Sequence, residues 1–432
     1  MAARAHQIIM KQVESYETRA VTLSVLYFFF LFGSYSLIKP VRDAMGTVYG
    51  VNHLQELFTA TLLASLIFAP LYSGLMARFR LASLLPWVYG FVALTMLAFY
   101  ALFASGQHTE RAVAASFYVW VSTFNLLIIS VFWSFMADIY SRTQAKRLFG
   151  FIAAGGTLGG IAGPAAATLL ATRIGNNNLL LICAAGFAIT AVLVRMLAGE
   201  KERLLASGGE VQRTSLSQRL PGNPFDGFRL LLHSPYLLLL ALFLLLMTWI
   251  STIVYFQLGE LITHAFASRE ARTQAYGLID LAVNSCALLI QLFGTGRLIA
   301  RFGVGTGLLL NPFIMILAFL AISFSPVLLV LAGLQILRRV AEYAIAKPAR
   351  EMLFTVVDQG SRYKAKNVID TVVYRFGDFS SAWVSAAVLP YGVAGLAIFG
   401  VIISSVWFPI AYLLGRRYES QSNIDGAQEI SP

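Results

Sequence analysis

Apolar runs of about 20 residues, separated by short polar breaks, fill almost the whole chain. A helix needs about 20 apolar residues to cross the hydrocarbon core of a bilayer. The runs are continuous, unlike the roughly 10-residue alternating strands of a membrane barrel, so helices are the expected spanning form. The pattern predicts twelve spans over residues 20–46, 54–76, 82–104, 111–138, 149–171, 178–198, 236–262, 274–298, 304–324, 326–352, 367–389 and 392–414. The longest polar gap, Gly199 to Pro235, is rich in Ser, Gly and Arg and divides the spans six and six. The expected organisation is a six-helix bundle over 1–198, a cytoplasmic linker over 199–235, and a second six-helix bundle over 236–432 ending in a short cytoplasmic tail.

Composition agrees: 58% of the residues are hydrophobic and 12% charged, where soluble domains carry about 25% charged residues. Charge then orients the array. With both termini inside, only Lys39, Arg42, Arg111, Arg173, Arg269 and Arg272 fall outside, and Arg338, Arg339 and Arg375 fall within the membrane. Every other Lys and Arg lies on the cytoplasmic side, the positive-inside asymmetry. Basic loops facing anionic lipid account for the net charge of +11, so a nucleic-acid partner is not expected. Cys183 and Cys286 lie in separate apolar runs and are not expected to pair. The five histidines lack metal-ligand spacing, and no P-loop, GxSxG or His/Asp cluster occurs. No enzymatic activity, metal or cofactor is therefore expected.

The two halves repeat each other. Leu-x-Ala-Arg-Phe occurs in Ser73–Arg80 and again in Gly296–Gly303, and Asp138, Ser141, Arg142, Ala145 and Lys146 match Asp358, Ser361, Arg362, Ala365 and Lys366 at an offset of 220. Two parallel six-helix repeats are the layout of the major facilitator superfamily. The Leu-x-Ala-Arg-Phe elements resemble that superfamily's GxxxDRxGR loop, with Ala77 and Ala300 where it has Asp. Asp138, Arg142, Lys146, Asp358, Arg362 and Lys366 occur in both halves and read as scaffold of a cytoplasmic gate. The same offset sets Asp370, Arg375 and Asp378 opposite Gly150, Gly155 and Leu158. Span 5 is glycine-packed there, with Gly155, Gly159 and Gly163 four apart, whereas span 11 carries charge.

A charge near the bilayer centre costs about 2.5–3.5 kcal/mol on insertion scales, so intramembrane charges usually have a partner or a task. Span 11 places Asp370, Tyr374, Gly377, Asp378, Ser381 and Ser385 on one face, suited to a wet cavity, or else to an Arg375–Asp378 ion pair. Span 1 ends with Tyr35, Lys39, Arg42 and Asp43 on one face, and Pro40 among them can kink or break the helix. Span 10 holds Arg338, Arg339 and Glu342; Glu342 can pair with either arginine, leaving the other for a carboxylate or phosphate. Asp280 in span 8, with Asn284 and Gln291, and Glu260 at the end of span 7 either couple protons or neutralise a base on span 1, 10 or 11.

Several segments resemble the nucleotide (ATP/ADP) transporter family of plastids and intracellular bacteria. Pro348-Ala349-Arg350-Glu351-Met352 followed by Lys364–Asp370 is similar to that family's Pro-Thr-Lys-Glu-Met and Gly-Lys-Ala-x-Ile-Asp segments. Ser34–Asp43 is similar to its first-helix basic motif, and Phe132–Ile139 with Ala145-Lys146-Arg147 to the end of its fourth helix. The chain looks still more like short bacterial relatives of that family. The resemblance implies exchange of bulky phosphorylated anions, with Lys39, Arg42 and Arg350 as phosphate ligands and Asp370 at the Ile-Asp position. Arg42 and Arg350 stand where the family has lysine, and Lys347 where it has an acid.

Together these readings predict an all-α membrane protein of the major facilitator fold, a secondary transporter working by alternating access in a bacterial inner membrane. The substrate would be an anionic, nucleotide-like or phosphorylated small molecule. Its binding residues would be Lys39, Arg42, Arg338, Arg339, Arg350 and Arg375, with Glu260, Asp280, Glu342, Asp370 and Asp378 coupling protons or balancing charge. A proton-coupled porter for an organic solute or drug, and a non-transporting membrane scaffold or sensor, are the alternatives.

Overall fold

The computed structural model describes residues 14, 16–106, 110–206, 226–325, 327–357, 361, 365–366 and 368–430. Among them the chain is helical throughout. In order come α1 (Thr18–Tyr49), α2 (Leu54–Arg78), α3 (Leu81–Ala104), α4 (Glu110–Ile139), α5 (Arg142–Ile174), α6 (Asn176–Ala206), the short α7 (Asp226–His233), α8 (Pro235–Ala265), α9 (Arg269–Phe293) and α10 (Thr295–Phe324). They are followed by α11 (Leu328–Ala341), a π turn (Glu342–Ala346), α12 (Lys347–Leu353), a second π turn (Val368–Val373), α13 (Tyr374–Val388) and α14 (Gly392–Ile430). All twelve expected spans overlap helical segments, span 10 taking in α11, the first π turn and α12 and span 11 the second π turn and α13, and eight described segments are long and apolar enough to cross a membrane. The loop expected between spans 8 and 9 is only a break inside α10, at Gly303, whose φ of 79° favours glycine. α1 runs through Pro40 without a break. α6 and α7 extend into the expected linker, whose residues 207–225 lie outside the described residues.

Two compact units result. Unit 1 comprises Met1–Tyr49, Leu63–Arg219 and Ser268–Leu281, and unit 2 comprises Gly50–Leu62, Leu220–Ala267 and Ala282–Pro432. Each takes in a stretch from the other half of the sequence, the start of α9 in unit 1 and the start of α2 in unit 2.

In unit 1 the long face of α1 lies on α5. The four-residue glycine spacing explains the fit: a Cβ at Gly159 would fall 2.5 Å from the Phe29 carbonyl, and one at Gly163 2.5 Å from that of Gly33. Glycine lets the two backbones touch, the main source of helix cohesion where lipid replaces water. Behind this seam Phe28 stacks on Phe132, their ring centroids 3.9 Å apart. Buried Tyr27 bonds Tyr89 (2.7 Å) and Ser24 bonds Tyr140 (2.9 Å), so these buried hydroxyls are satisfied. α5 begins with a capping box, Ser141 accepting from the Gln144 amide while the Gln144 side chain accepts from that of Ser141. Fully buried Glu17 accepts from Gln144 (2.9 Å) and Arg147 (2.7 Å), fastening the start of α1 to the same place.

In unit 2, α8 packs on α13 and α14, and α10 on α14. Gly415 meets the Gly305 backbone, and Gly400 lies beneath the Phe319 ring. Gly377 on α13 receives the Thr248 side chain of α8, and Trp249 donates to Ser380 at 3.1 Å. Large apolar side chains such as Trp87, Phe91 and Leu329 stay exposed, as suits a lipid-facing surface.

Candidate functional site

Unit 1 gathers its charges at the end of α1. The Lys39 ammonium donates to both carboxylate oxygens of Asp280, at 2.6 and 2.8 Å, and lies 3.8 Å from Asp43. Arg42 donates to Asp43 through Nε (3.0 Å) and Nη2 (2.5 Å), reaches Ser122 at 3.4 Å, and lies over the Tyr118 ring. Both acids are buried, which demands such pairing. Arg272 donates to Thr47 at 3.1 Å, and buried Tyr276 lies within electrostatic reach of Arg272, Arg42, Asp43 and Tyr118. Lys39, Arg42 and Asp280, expected in separate roles, thus belong to one network, with Asp280 neutralising a base on span 1. Arg272, Tyr118 and Ser122 were not singled out from the sequence. Arg272, Tyr276 and Asp280 do recur every four residues along one side of α9, a signal hidden when Arg272 is counted as a loop charge.

Unit 2 holds two groups. Buried Arg338 donates to Glu342 (2.7 Å), Ser251 (2.8 Å) and Gln335 (2.9 Å). Glu342 therefore chooses Arg338, and Arg339 lies over the Tyr343 ring with its guanidinium 3.4 Å from that hydroxyl. Arg375 and Asp378 form the i, i+3 ion pair at 3.6 Å. Tyr374 lies within electrostatic reach of Asp378, Glu342, Arg375 and Tyr343, which places the start of α13 near the first π turn. The second group lies on α12, the second π turn and the residues between them. Arg350 donates to Glu351 (3.0 Å) and is ion-paired with Asp370 at 3.5 Å, without hydrogen-bond geometry. Lys366 pairs with Glu351 and lies over the Phe354 ring, and Lys347 is within electrostatic reach of Asp370. The buried Nε atoms of Arg350 and Arg375 have no hydrogen-bond partner among the described residues.

The remaining residues are not drawn into these groups. Glu260 bonds His264 at 3.0 Å near the end of α8. Asp138 is half-buried and Lys146 exposed at the junction of α4 and α5. The Arg142 side chain, Asp358 and Arg362 lie outside the described residues. Of the six gate residues, Lys366 pairs with Glu351. Cys183 and Cys286 are both free thiols, and the described residues contain no grouping of three or more His, Cys, Asp or Glu suited to a metal ion.

A duplicated helical protein with long apolar spans and charges paired within its helical bundles is the build of a secondary transporter. The chain belongs to the Major Facilitator Superfamily, whose profile matches residues 20–349. It is 24% identical to ADP,ATP carrier protein 1 of Chlamydia pneumoniae, over 97% of this chain and 81% of that one. It is also 24% identical to ADP,ATP carrier protein 1 of Chlamydia muridarum, over 71% of this chain and 66% of that one. Among solved structures it is similar to the nucleoside transporter NupG, with a TM-score of 0.62 and 16% identity over 93% of this chain and 98% of that one. A bacterial homologue of the iron transporter ferroportin gives a TM-score of 0.63 and 13% identity over 91% and 99%. The fold expected from the repeat and the family resemblance both hold. The protein is a multi-pass secondary transporter for a small molecule.

Proposed function

We propose that this transporter carries an anionic, phosphorylated solute of nucleotide type by alternating access. The observation that carries the reading is a repeated excess of bases in the three charged groups. Lys39 and Arg42 pair with Asp43 and Asp280, with Arg272 near Tyr276 in the same network; Arg338 pairs with Glu342 and Arg375 with Asp378, with Arg339 on the adjoining Tyr343; Lys366 and Arg350 pair with Glu351 and Asp370, with Lys347 within electrostatic reach of Asp370. Each group holds three bases and two acids, so a phosphate arriving there gains charge-assisted hydrogen bonds. The ADP,ATP carriers among the relatives support nucleotides as the first solutes to test.

In this reading Lys39, Arg42, Arg338, Arg339, Arg350 and Arg375 bind the anion, while Asp280, Glu342, Asp370 and Asp378 hold those bases between loads. Glu260 lies apart from them and has the weakest claim to a role. Asp138, Arg142, Lys146, Asp358, Arg362 and Lys366 serve the gate, and the protein sits in a bacterial inner membrane with both termini cytoplasmic. Proteoliposomes loaded with ADP should take up labelled ATP faster than empty ones. Absence of both uptake and thermal stabilisation across a nucleotide and phosphometabolite panel would overturn the anionic reading. The Lys39–Asp280 pair favours a second reading, in which protonation of Asp280 frees Lys39 during transport. Uptake driven by an imposed pH gradient into vesicles containing no solute would support it.

A further inference from the structure

The π turn Glu342–Ala346 interrupts span 10 between its two groups of bases. Its cause is legible. In an α register the Ala344 carbonyl would accept from the residue four ahead, but that residue is Pro348, which has no N–H. The Lys347 amide, the α partner of the Tyr343 carbonyl, donates instead to Glu342. Two carbonyls are thereby denied their usual partners, and both are taken up from outside the helix. Gln291 on α9 donates to the Tyr343 carbonyl at 3.1 Å, and Thr295 at the start of α10 donates to that of Ala344 at 2.6 Å. Unsatisfied backbone carbonyls are costly at membrane depth, so these two side chains hold the turn in place.

The turn has a geometric consequence for the bases. Each residue of an α-helix turns by about 100°, so a continuous helix would set Arg350 about 120° away from Arg338. A π turn absorbs one extra residue. With it, Arg350 comes within about 20° of Arg338 and of Glu342. The turn lines the two groups up along one face of span 10.

We propose that Gln291 and Thr295 are positioning residues for transport. By satisfying the Tyr343 and Ala344 carbonyls they maintain the π turn, which sets Arg338, Glu342 and Arg350 on a common face toward one anionic solute. The proposal rests on the anionic reading above, and ADP serves as the probe.

The test is a pair of spin labels on Leu317→Cys and Met352→Cys, both exposed positions, in a Cys286→Ser background. Loss of the turn rotates Met352 by about a quarter turn, so Gln291→Leu with Thr295→Val should shift the label distance by about 5 Å or more. The same pair should weaken ADP binding about tenfold or more, while Thr295→Ser, which keeps the donor, leaves both unchanged. Deleting Ala346 in the double variant removes the extra residue, realigns Arg350 with Arg338, and should recover ADP affinity. A merely structural role predicts no such recovery. An unchanged label distance in the double variant, or a changed distance with full ADP affinity, overturns the proposal. Should the double variant fail to fold, the contrast between Thr295→Val and Thr295→Ser decides by the same criteria. If the unaltered protein binds no nucleotide, the anionic reading fails; a shifted distance would still show that Gln291 and Thr295 hold the turn.

Discussion

Spans 5 and 11 occupy the same place in the repeat and are built in opposite ways. α5 turns Gly155, Gly159 and Gly163 to the backbone of α1 and leaves no room for a side chain. α13 and the π turn before it carry Asp370, Arg375 and Asp378, of which Arg375 stands at the position of Gly155. One trace of the common plan survives. Phe28 on α1 and Thr248 on α8 stand 220 residues apart, and each seats its side chain on a glycine, Gly156 in the first case and Gly377 in the second. Around that shared contact one helix pair is a dry seam and the other has polar groups to offer. A duplicated fold can thus keep one copy as scaffold while the other copy takes on charge.

The comparison can be broken most directly at the seam. Gly159→Leu would drive a side chain into the α1 backbone, so the folded yield in detergent should collapse, or the melting temperature should fall by an amount corresponding to about 3 kcal/mol or more. A well-folded Gly159→Leu protein would mean that the seam is not rigid. The charged side should respond differently. Arg338→Gln strands Glu342 and leaves Ser251 and Gln335 without their common donor, which should abolish nucleotide binding and cost about 3–5 kcal/mol of stability. Arg338→Gln combined with Glu342→Gln should regain most of that stability but none of the binding, which separates the structural from the functional share of the pair.

The same cycle sharpens the comparison within unit 1. Lys39→Gln and Asp280→Asn should each lower the melting temperature more than the two together, because each single change takes from the remaining charge its bidentate partner. Single effects that simply add would mean that the 2.6 Å contact contributes little. The smallest effect is expected at Lys366, whose pair with Glu351 is partly exposed. Lys366→Gln should change stability by about 1 kcal/mol or less, and a larger loss would move Lys366 from the periphery of its group to its centre.

Much of this was legible in the chain. The length of the apolar runs located the long helices, though not the short α7, because spanning a bilayer allows few alternatives. The 220-residue offset marked span 11 as the place where the copies diverge. Helical spacing alone anticipated the Arg375–Asp378 pair and narrowed Glu342 to two partners. Spacing failed wherever the partner came from elsewhere in the chain. Asp280 could have met a base on any of three spans, and only the packing of the start of α9 within unit 1 assigned it to Lys39. Gln291 looked like one more polar residue beside Asp280 and Asn284, yet its side chain caps a carbonyl of span 10.

The sequence by itself determined which long segments are helices, that the chain is duplicated, and which charges interrupt apolar runs. Those properties follow from local hydrophobicity and composition, which act along the chain. The tertiary structure decided which acid answers which base and where a helix departs from its regular register. Pairing depends on distances between segments far apart in sequence. The register at Glu342–Ala346 rests on Gln291 and Thr295 reaching carbonyls that Pro348 and the π turn left open.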